Sequence, residues 1–304
     1  MLPVVLKSSD TGAPQSTSAA SSLREIWKWA LPQLGWTEEF DDASAHKVAF
    51  RNSPVDGLGF YIQLDDSGTT NCVPVVGYTS MTGIDTGDDI FGHSPQLHVL
   101  KHPTLASSDE WAIVGDNRTF YWIRQSRIVL GDGVPHFNVA VFGEFRRFSP
   151  VDMHYFLVTG IGATAPNFNN SQSPFYFSAA NNSNYGAHAP SSIDGLSANA
   201  AMNTTTNSLN RFTTISSPSA LGSSDGEYIT SDMYFSEGNI PRGALRGVYN
   251  ASSYIGPTAL GEMTINTPVG ETAVLQVPIY GSMIQVSLNT IYRGTLFIDL
   301  GEWD

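Results

Sequence analysis

Three histidines, His93, His98 and His102, fall within ten residues and follow Asp85, Asp88 and Asp89, so metal-ligand residue types crowd together in one stretch. A metal needs two or three such side chains on one side of a strand or hairpin. His93 and His98 are five apart, which puts them on opposite faces of a regular strand, and His102-Pro103 reads as a turn. Asp85-Thr-Gly-Asp-Asp89 lacks the ligand series of an EF-hand, and no His-Glu-x-x-His is present. The stretch reads as an acidic turn with scattered loop histidines, and no metal is assigned to it. Asp109-Glu110, Glu144 and Asp152 offer carboxylate pairs of the kind that glycoside hydrolysis uses. With 28 Asp+Glu in the chain, however, some such pair is always at hand. There is no Gly-x-Ser-x-Gly, no phosphate-cradling Gly-x-x-x-x-Gly-Lys and no dinucleotide fingerprint, and Gly222-Ser-Ser-Asp-Gly226 has the residues of a nucleophile elbow in the wrong order. The single Cys72 excludes an internal disulfide and, within the apolar run Cys-Val-Pro-Val-Val, reads as a buried, inert thiol. No catalytic residue and no cofactor follow from these patterns.

Arg124, Arg127, Arg146 and Arg147 hold much of the limited positive charge of a chain whose net charge is -13. They are the candidate subunit-contact residues, able to face an acidic neighbour, and the alternative is an ordinary solvated strand face. Aromatic residues are the other resource: Trp27, Trp29 and Trp36 cluster early, and Trp111, Phe120, Tyr121, Trp122, Phe142, Phe145 and Phe148 follow. Exposed aromatics bind sugars and buried ones fill cores; strand alternation around most of these favours the core.

The elements that position these residues follow from composition. In 304 residues only 14% are charged, while 28 Gly and 17 Pro punctuate the chain. Long helices need charged residues on their wet faces, so this balance favours short strands joined by turns. The expected fold is mainly β, an antiparallel sandwich or barrel-like arrangement with one N-terminal α-helix, and α+β is the alternative. The acidity argues against nucleic-acid and anionic-membrane partners. No apolar run approaches the ~20 residues of a membrane span, and the N-terminal residues lack a signal-peptide pattern, so synthesis in a reducing cytoplasm is expected.

Residues 1–21 read as an N-terminal arm. Ser22 and Glu25 have capping-box spacing, and Leu23, Ile26, Trp27, Ala30, Leu31 and Leu34 then form one helical stripe, with Pro32 as a kink or end and Gly35 as a stop. Residues 22–159 read as this helix plus a β-rich body, with strands predicted at 47–51, 59–64, 72–76, 111–114, 119–124, 137–142 and 153–158. Residues 160–226 read as a Ser/Asn-rich insertion with almost no periodicity, in which Asp194 and Arg211 are the only Asp, Glu, Lys or Arg residues up to Ser224. Residues 227–304 return to strands, at 228–235, 271–277, 283–288 and 294–300, and are expected to complete the same body. The insertion reads as a segment that orders against a neighbouring subunit or as a mobile surface loop. On the contact reading, deleting residues 160–226 or the first twenty is expected to impair assembly while leaving the subunit folded.

The order of certain blocks carries a resemblance. Thr11-Gly-Ala-Pro14, a helix ending in Gly35-Trp36, Gly59-Phe-Tyr-Ile-Gln-Leu-Asp-Asp66, Gly77-Tyr-Thr-Ser-Met-Thr-Gly-Ile-Asp-Thr-Gly87, Asp116-Asn-Arg-Thr-Phe-Tyr121, Phe142-Gly-Glu144, Arg246-Gly247 and Gly294-Thr-Leu-Phe-Ile-Asp-Leu300 together resemble a family of virion structural proteins of tailed bacteriophages. The resemblance covers roughly two thirds of the chain in scattered blocks and is weakest over residues 160–226. It implies a particle component, located in the virion and assembled in the bacterial cytoplasm, and leaves tail, collar, baseplate and head surface open; the reading taken is a non-enzymatic component of the tail, collar or baseplate whose partners are copies of itself and other virion proteins. It implies no catalytic residues. A host-surface carbohydrate-binding adsorption protein, with a surface glycan as partner, a capsid decoration protein and a particle-associated glycan hydrolase are the alternatives.

Overall fold

A computed structural model describes residues 2–69, 71–93, 96–102, 105, 108–126, 136–162, 185–195, 198–204, 230–237, 240–251, 260–267, 270–282 and 291–303. The helix α1 (Ser22–Ala30) passes directly into a 3-10 turn, Leu31–Leu34. The change of pitch coincides with Pro32, which has no N–H to donate, and the segment stops at Gly35, whose φ of 89° suits glycine. Leu23, Ile26, Trp27, Ala30, Leu31 and Leu34 are all 0% exposed, so the whole stripe is core. The expected capping box does not form. Ser22 Oγ instead accepts from the Thr17 amide at 2.7 Å and donates to the Gln15 carbonyl at 3.0 Å. The amides of Leu23 and Arg24 donate to Asp66 Oδ2 at 2.7 and 3.2 Å. A carboxylate far along the chain outcompetes the local motif because it is buried there and brings a full negative charge to the helix N-terminus.

In chain order the strands are β1 (Val4–Lys7), β2 (Thr37–Asp42), β3 (Lys47–Arg51), β4 (Tyr61–Asp65), β5 (Cys72–Tyr78), β6 (Ser80–Gly83), β7 (Thr86–Asp88), β8 (Leu97–Leu100), β9 (Trp111–Gly115), β10 (Thr119–Ser126), β11 (His136–Glu144), β12 (Arg146–Arg147), β13 (Phe156–Gly162), β14 (Tyr185–Ser191), β15 (Ala198–Thr204), β16 (Thr230–Glu237), β17 (Ile240–Ala251), β18 (Gly261–Thr267), β19 (Gly270–Ser282) and β20 (Ile291–Asp299). The fold is mainly β, as composition predicts.

An antiparallel sheet β1–β9–β10–β11–β13 runs through the middle. Its strands are apolar on both faces, so alternation separates two cores rather than core from solvent. Trp111, Ile113, Phe120, Trp122, Phe142 and Val158 join α1, β3, β4, β5 and β8 in one core. The residues between them, among them Ala112, Val114, Tyr121, Ile123, Val141 and Leu157, join β14, β16, β17, β19 and β20 in the other. Outside the first core, the β6–β7 hairpin packs Met81 with Ala49, Tyr61 and Tyr78 on the outer face of β3–β5.

The pairings β2–β3–β4–β5–β8–β13 form one arm of the ladder and β13–β14–β15–β16–β17–β20–β19–β18 the other. Among the described residues β11 meets β19 only through one parallel pair, Phe137 opposite Ile279, so the circuit is not a closed barrel.

Three expectations change. The segment read as an arm is tied into the sheet: Val4–Lys7 pairs with Gly115–Ala112 and the Trp111 indole donates to the Pro14 carbonyl at 3.1 Å. Within residues 160–226, β14 and β15 pair with each other, and Ala187, Ala189 and Ala200 are buried. Small side chains carry this packing, which an apolar pattern search passes over. Deleting either segment therefore removes described sheet, and a folded remainder is no longer the expected result. The strand predicted at 153–158 begins at Phe156 because residues before it close a turn in which the His154 amide donates to Asp152 Oδ1 at 3.0 Å. The prediction at 283–288 lies outside the described residues.

An acid-sensitive contact joins α1 to β2. Burial pushes the Asp41 carboxyl up, but hydrogen bonds from Lys28 and Arg24 outweigh it and hold the group below its ordinary value of 3.8. A depressed folded pKa gives stability that is complete above the unfolded value and lost as pH falls through the folded one. Asp41→Asn is expected to cost about 1 kcal/mol or less at pH 7, with the difference from wild type closing below pH 3.8 in chemical denaturation.

Candidate functional site

Of the four acids offered as carboxylate pairs, Glu144, Asp152 and Asp109 are engaged inside the fold. Glu144, 1% exposed at the end of β11, accepts from the Leu58 amide at 2.6 Å and Asn52 Nδ2 at 2.8 Å through Oε1, and from Arg118 Nε at 2.8 Å through Oε2. Asp152 takes a two-point contact from Arg242, Nε to Oδ2 at 2.6 Å and Nη2 to Oδ1 at 2.9 Å. Asp109 accepts from Arg124 Nε at 2.5 Å and faces His102 Nε2 at 3.3 Å. Asp116, unremarked as a candidate, binds Arg246 Nη1 and Nη2 at 2.9 and 2.8 Å, and the same guanidinium donates to the Trp303 carbonyl at 3.2 Å. Glu110 alone of the group is exposed. A general acid or base must keep an oxygen for substrate; these buried oxygens face guanidiniums and amides, and they pin distant segments together.

The histidines separate in the same way. His98 and His102 are buried on the sheet and its following loop, His93 is exposed, and among the described residues no three His, Cys, Asp or Glu side chains gather around a metal-sized point. Cys72 is half-buried rather than buried; burial pushes its thiol up more than the charge of Arg124 pulls it down, which keeps it protonated and unreactive.

The four arginines do not act together. Arg124 is 0% exposed beneath Asp109, so its charge is spent inside the chain rather than on a neighbour. Arg127 lies outside the described residues. Arg146 and Arg147 form β12, opposite Ala244 and Gly243 of β17, with Arg146 exposed and Arg147 half-buried. Arg147 Nη1 donates to the carbonyls of Pro150 and Asp152 at 3.1 and 2.8 Å, and its guanidinium stands 4.6 Å over the Tyr155 ring. The loop of residues 147–153 is thus closed from above by Arg147 and held from beneath by Arg242 on Asp152.

On that loop three apolar side chains face solvent: Phe148 is 47% exposed, Val151 73% and Met153 61%, and the Phe148 ring lies 5.7 Å from that of Tyr234, 40% exposed on β16. Sequence reasoning missed this group. The available signal was Ser149-Pro150, a turn that interrupts the apolar run and so turns its residues away from the sheet. Of the aromatics read as core, Trp27, Trp36, Trp111 and Trp122 are at most 2% exposed; Trp29 is half-buried against the same core and Phe148 is exposed.

The loop of residues 147–153 thus carries solvent-facing apolar groups beside the Arg147 guanidinium. No protein-family model matches this chain, and no curated protein matches it, so the geometry and the block order are what bear on its role.

Proposed function

We propose that this chain is a non-enzymatic structural component of a tailed bacteriophage particle, in the tail, collar or baseplate, working through contacts with copies of itself and with other virion proteins. The resemblance in block order supports the particle; the observation that carries the contact role is the loop of residues 147–153. There the chain spends a buried ion pair, Arg242 with Asp152, on holding Phe148, Val151 and Met153 out toward solvent. A monomer gains nothing from fixing apolar groups in water, whereas a subunit that buries them against a neighbour does. The use of Glu144, Asp109 and Asp152 as internal ion-pair partners supports the non-enzymatic reading over a glycan hydrolase.

Peptide mass spectrometry on purified particles separated into heads and tails tests the proposal. The expected result is this chain at a fixed ratio to the major capsid subunit in the tail fraction. Recovery with heads alone would transfer it to the capsid surface. Absence from particles, with abundance in infected cells, would overturn the particle reading.

A further inference from the structure

We infer that the β6–β7 hairpin, residues 79–90, is a strap that opens as a unit, clasped at its tip by Asp85, and that it controls access to the apolar face of β3–β5 beneath it. Its base is fixed. Gly77 and Phe91 exchange two backbone hydrogen bonds, at 2.9 and 3.0 Å, and the Phe91 side chain is fully buried in the first core. Between those points the chain leaves the ladder. β6 and β7 pair only with each other, and among the described residues no backbone-to-backbone hydrogen bond joins residues 79–90 to the rest of the chain.

The side chains repeat the pattern. The hydroxyls of Thr79 and Ser80 donate to Asp89 and Asp88 within the hairpin itself. Among the described residues, only Asp85 carries polar bonds from the hairpin to the body. Its Oδ2 accepts from Lys47 Nζ on β3 at 2.7 Å, its Oδ1 accepts from Gln63 Nε2 on β4 at 2.6 Å, and its amide donates to Gln63 Oε1 at 2.7 Å. Burial and the nearby Asp42 push the Asp85 carboxyl up, but the bonds from Lys47 and Gln63 outweigh them and hold it below its ordinary 3.8, so the clasp is charged at neutral pH. Asp85 at the tip and Asp89 at the foot hold left-handed backbone, φ 59° and 46°, which costs energy outside glycine and which opening relaxes.

Against this single clasp the packing is slight. Within residues 79–90 only Met81 is buried, and the whole of β7 is exposed. A two-stranded hairpin is marginal by itself in water, so Met81 and the clasp decide whether it stays down. Lifting it uncovers Ala49, Tyr61 and Tyr78, against which Met81 packs with Ile84 and Ile90 at the margin. Neither large core includes a residue of the hairpin, so the body does not have to unfold for the strap to open.

Hydrogen exchange on the full chain at neutral pH, read by mass spectrometry, tests the inference. Peptides from residues 79–90 are expected to exchange about a hundredfold or more faster than those of β3 and β4, with little response to low urea because the opening exposes little surface. Asp85→Ala is expected to speed the hairpin about tenfold. Lys47→Met, which leaves the turn itself intact, should speed it about two- to fivefold, and β9–β11 should be unchanged in both. Met81 reports the lifting independently. Its oxidation by hydrogen peroxide, slow in wild type beside that of the 61% exposed Met153, is expected to rise in Asp85→Ala. Hairpin amides that exchange in step with β3 and β4 as urea is added, variants that speed hairpin and body alike, or an Asp85→Ala chain with unchanged hairpin exchange and Met81 oxidation would each overturn the inference.

Discussion

Arg242→Met will destabilise the chain by about 3–5 kcal/mol, the cost of leaving one member of a buried ion pair without the other. Arg242 is 0% exposed and Asp152 1%. Beyond the two bonds to Asp152, the guanidinium donates to the Ser191 carbonyl at 2.6 Å and the His154 carbonyl at 3.2 Å, tying β17 to the end of β14 and to the loop before β13. Methionine fills much of the volume but provides none of these donors, and the Asp152 carboxylate is left with the His154 amide. Because the penalty is chiefly that of a bare buried charge, adding Asp152→Asn to Arg242→Met should recover a substantial part of it. Urea denaturation of the two single variants and the double measures this directly. A single-variant loss below about 1 kcal/mol would mean that solvent reaches the pair and that the loop of residues 147–153 is not held as described.

Asp66→Ala is expected to cost about 4 kcal/mol or more, from two separate sources. The first is the helix cap: the amides of Leu23 and Arg24 lose their acceptor, worth about 1 kcal/mol. The second is Lys101, 0% exposed, which donates to Asp66 Oδ1, to the Ala19 carbonyl at 2.7 Å and to the Gly68 carbonyl at 2.9 Å. Without Asp66 its ammonium sits in the interior with carbonyls only, at about 3–5 kcal/mol. The two contributions share one residue and need not add in full. Asp66→Asn keeps an acceptor for the amides and should fall between wild type and Asp66→Ala. Lys101→Met in the Asp66→Ala background removes the stranded charge and should return stability, leaving the cap loss. If the double variant is no more stable than Asp66→Ala, the buried ammonium is not the source of the penalty.

Both predictions concern contacts that a sequence reading passes over, and the reason is common to them. Arg242 and Asp152 are far apart in the chain, as are Asp66 and the helix it caps, and a pattern within a dozen residues carries no trace of a partner outside the window. The capping box at Ser22 and Glu25 illustrates the competition: the spacing is right, yet Ser22 turns to Gln15 and Thr17, and the amides go to a carboxylate brought in by the sheet. The carboxylate pairs behaved alike. Glu144 and Asp152 have the residue type that glycan chemistry uses, and only their guanidinium partners reveal a holding role.

What the sequence determined by itself is the local and compositional part. Low charge with many Gly and Pro set the β class; the stripe from Leu23 to Leu34 set the helix, its buried face and its stop at Gly35; the runs at 47–51, 111–114, 119–124 and 137–142 set strands within one or two residues. These follow from dihedral preferences and periodicity, which act between near neighbours. The tertiary structure alone decided that the middle sheet is buried on both faces, that β14 and β15 pack through alanines, that Arg124 is spent inside while Arg147 stays at the surface, and that Phe148, Val151 and Met153 face water. Each of these depends on which distant segment arrives to cover a face or neutralise a charge. Side-chain type states what a residue would gain by burial or pairing; the path of the whole chain settles whether a partner is there.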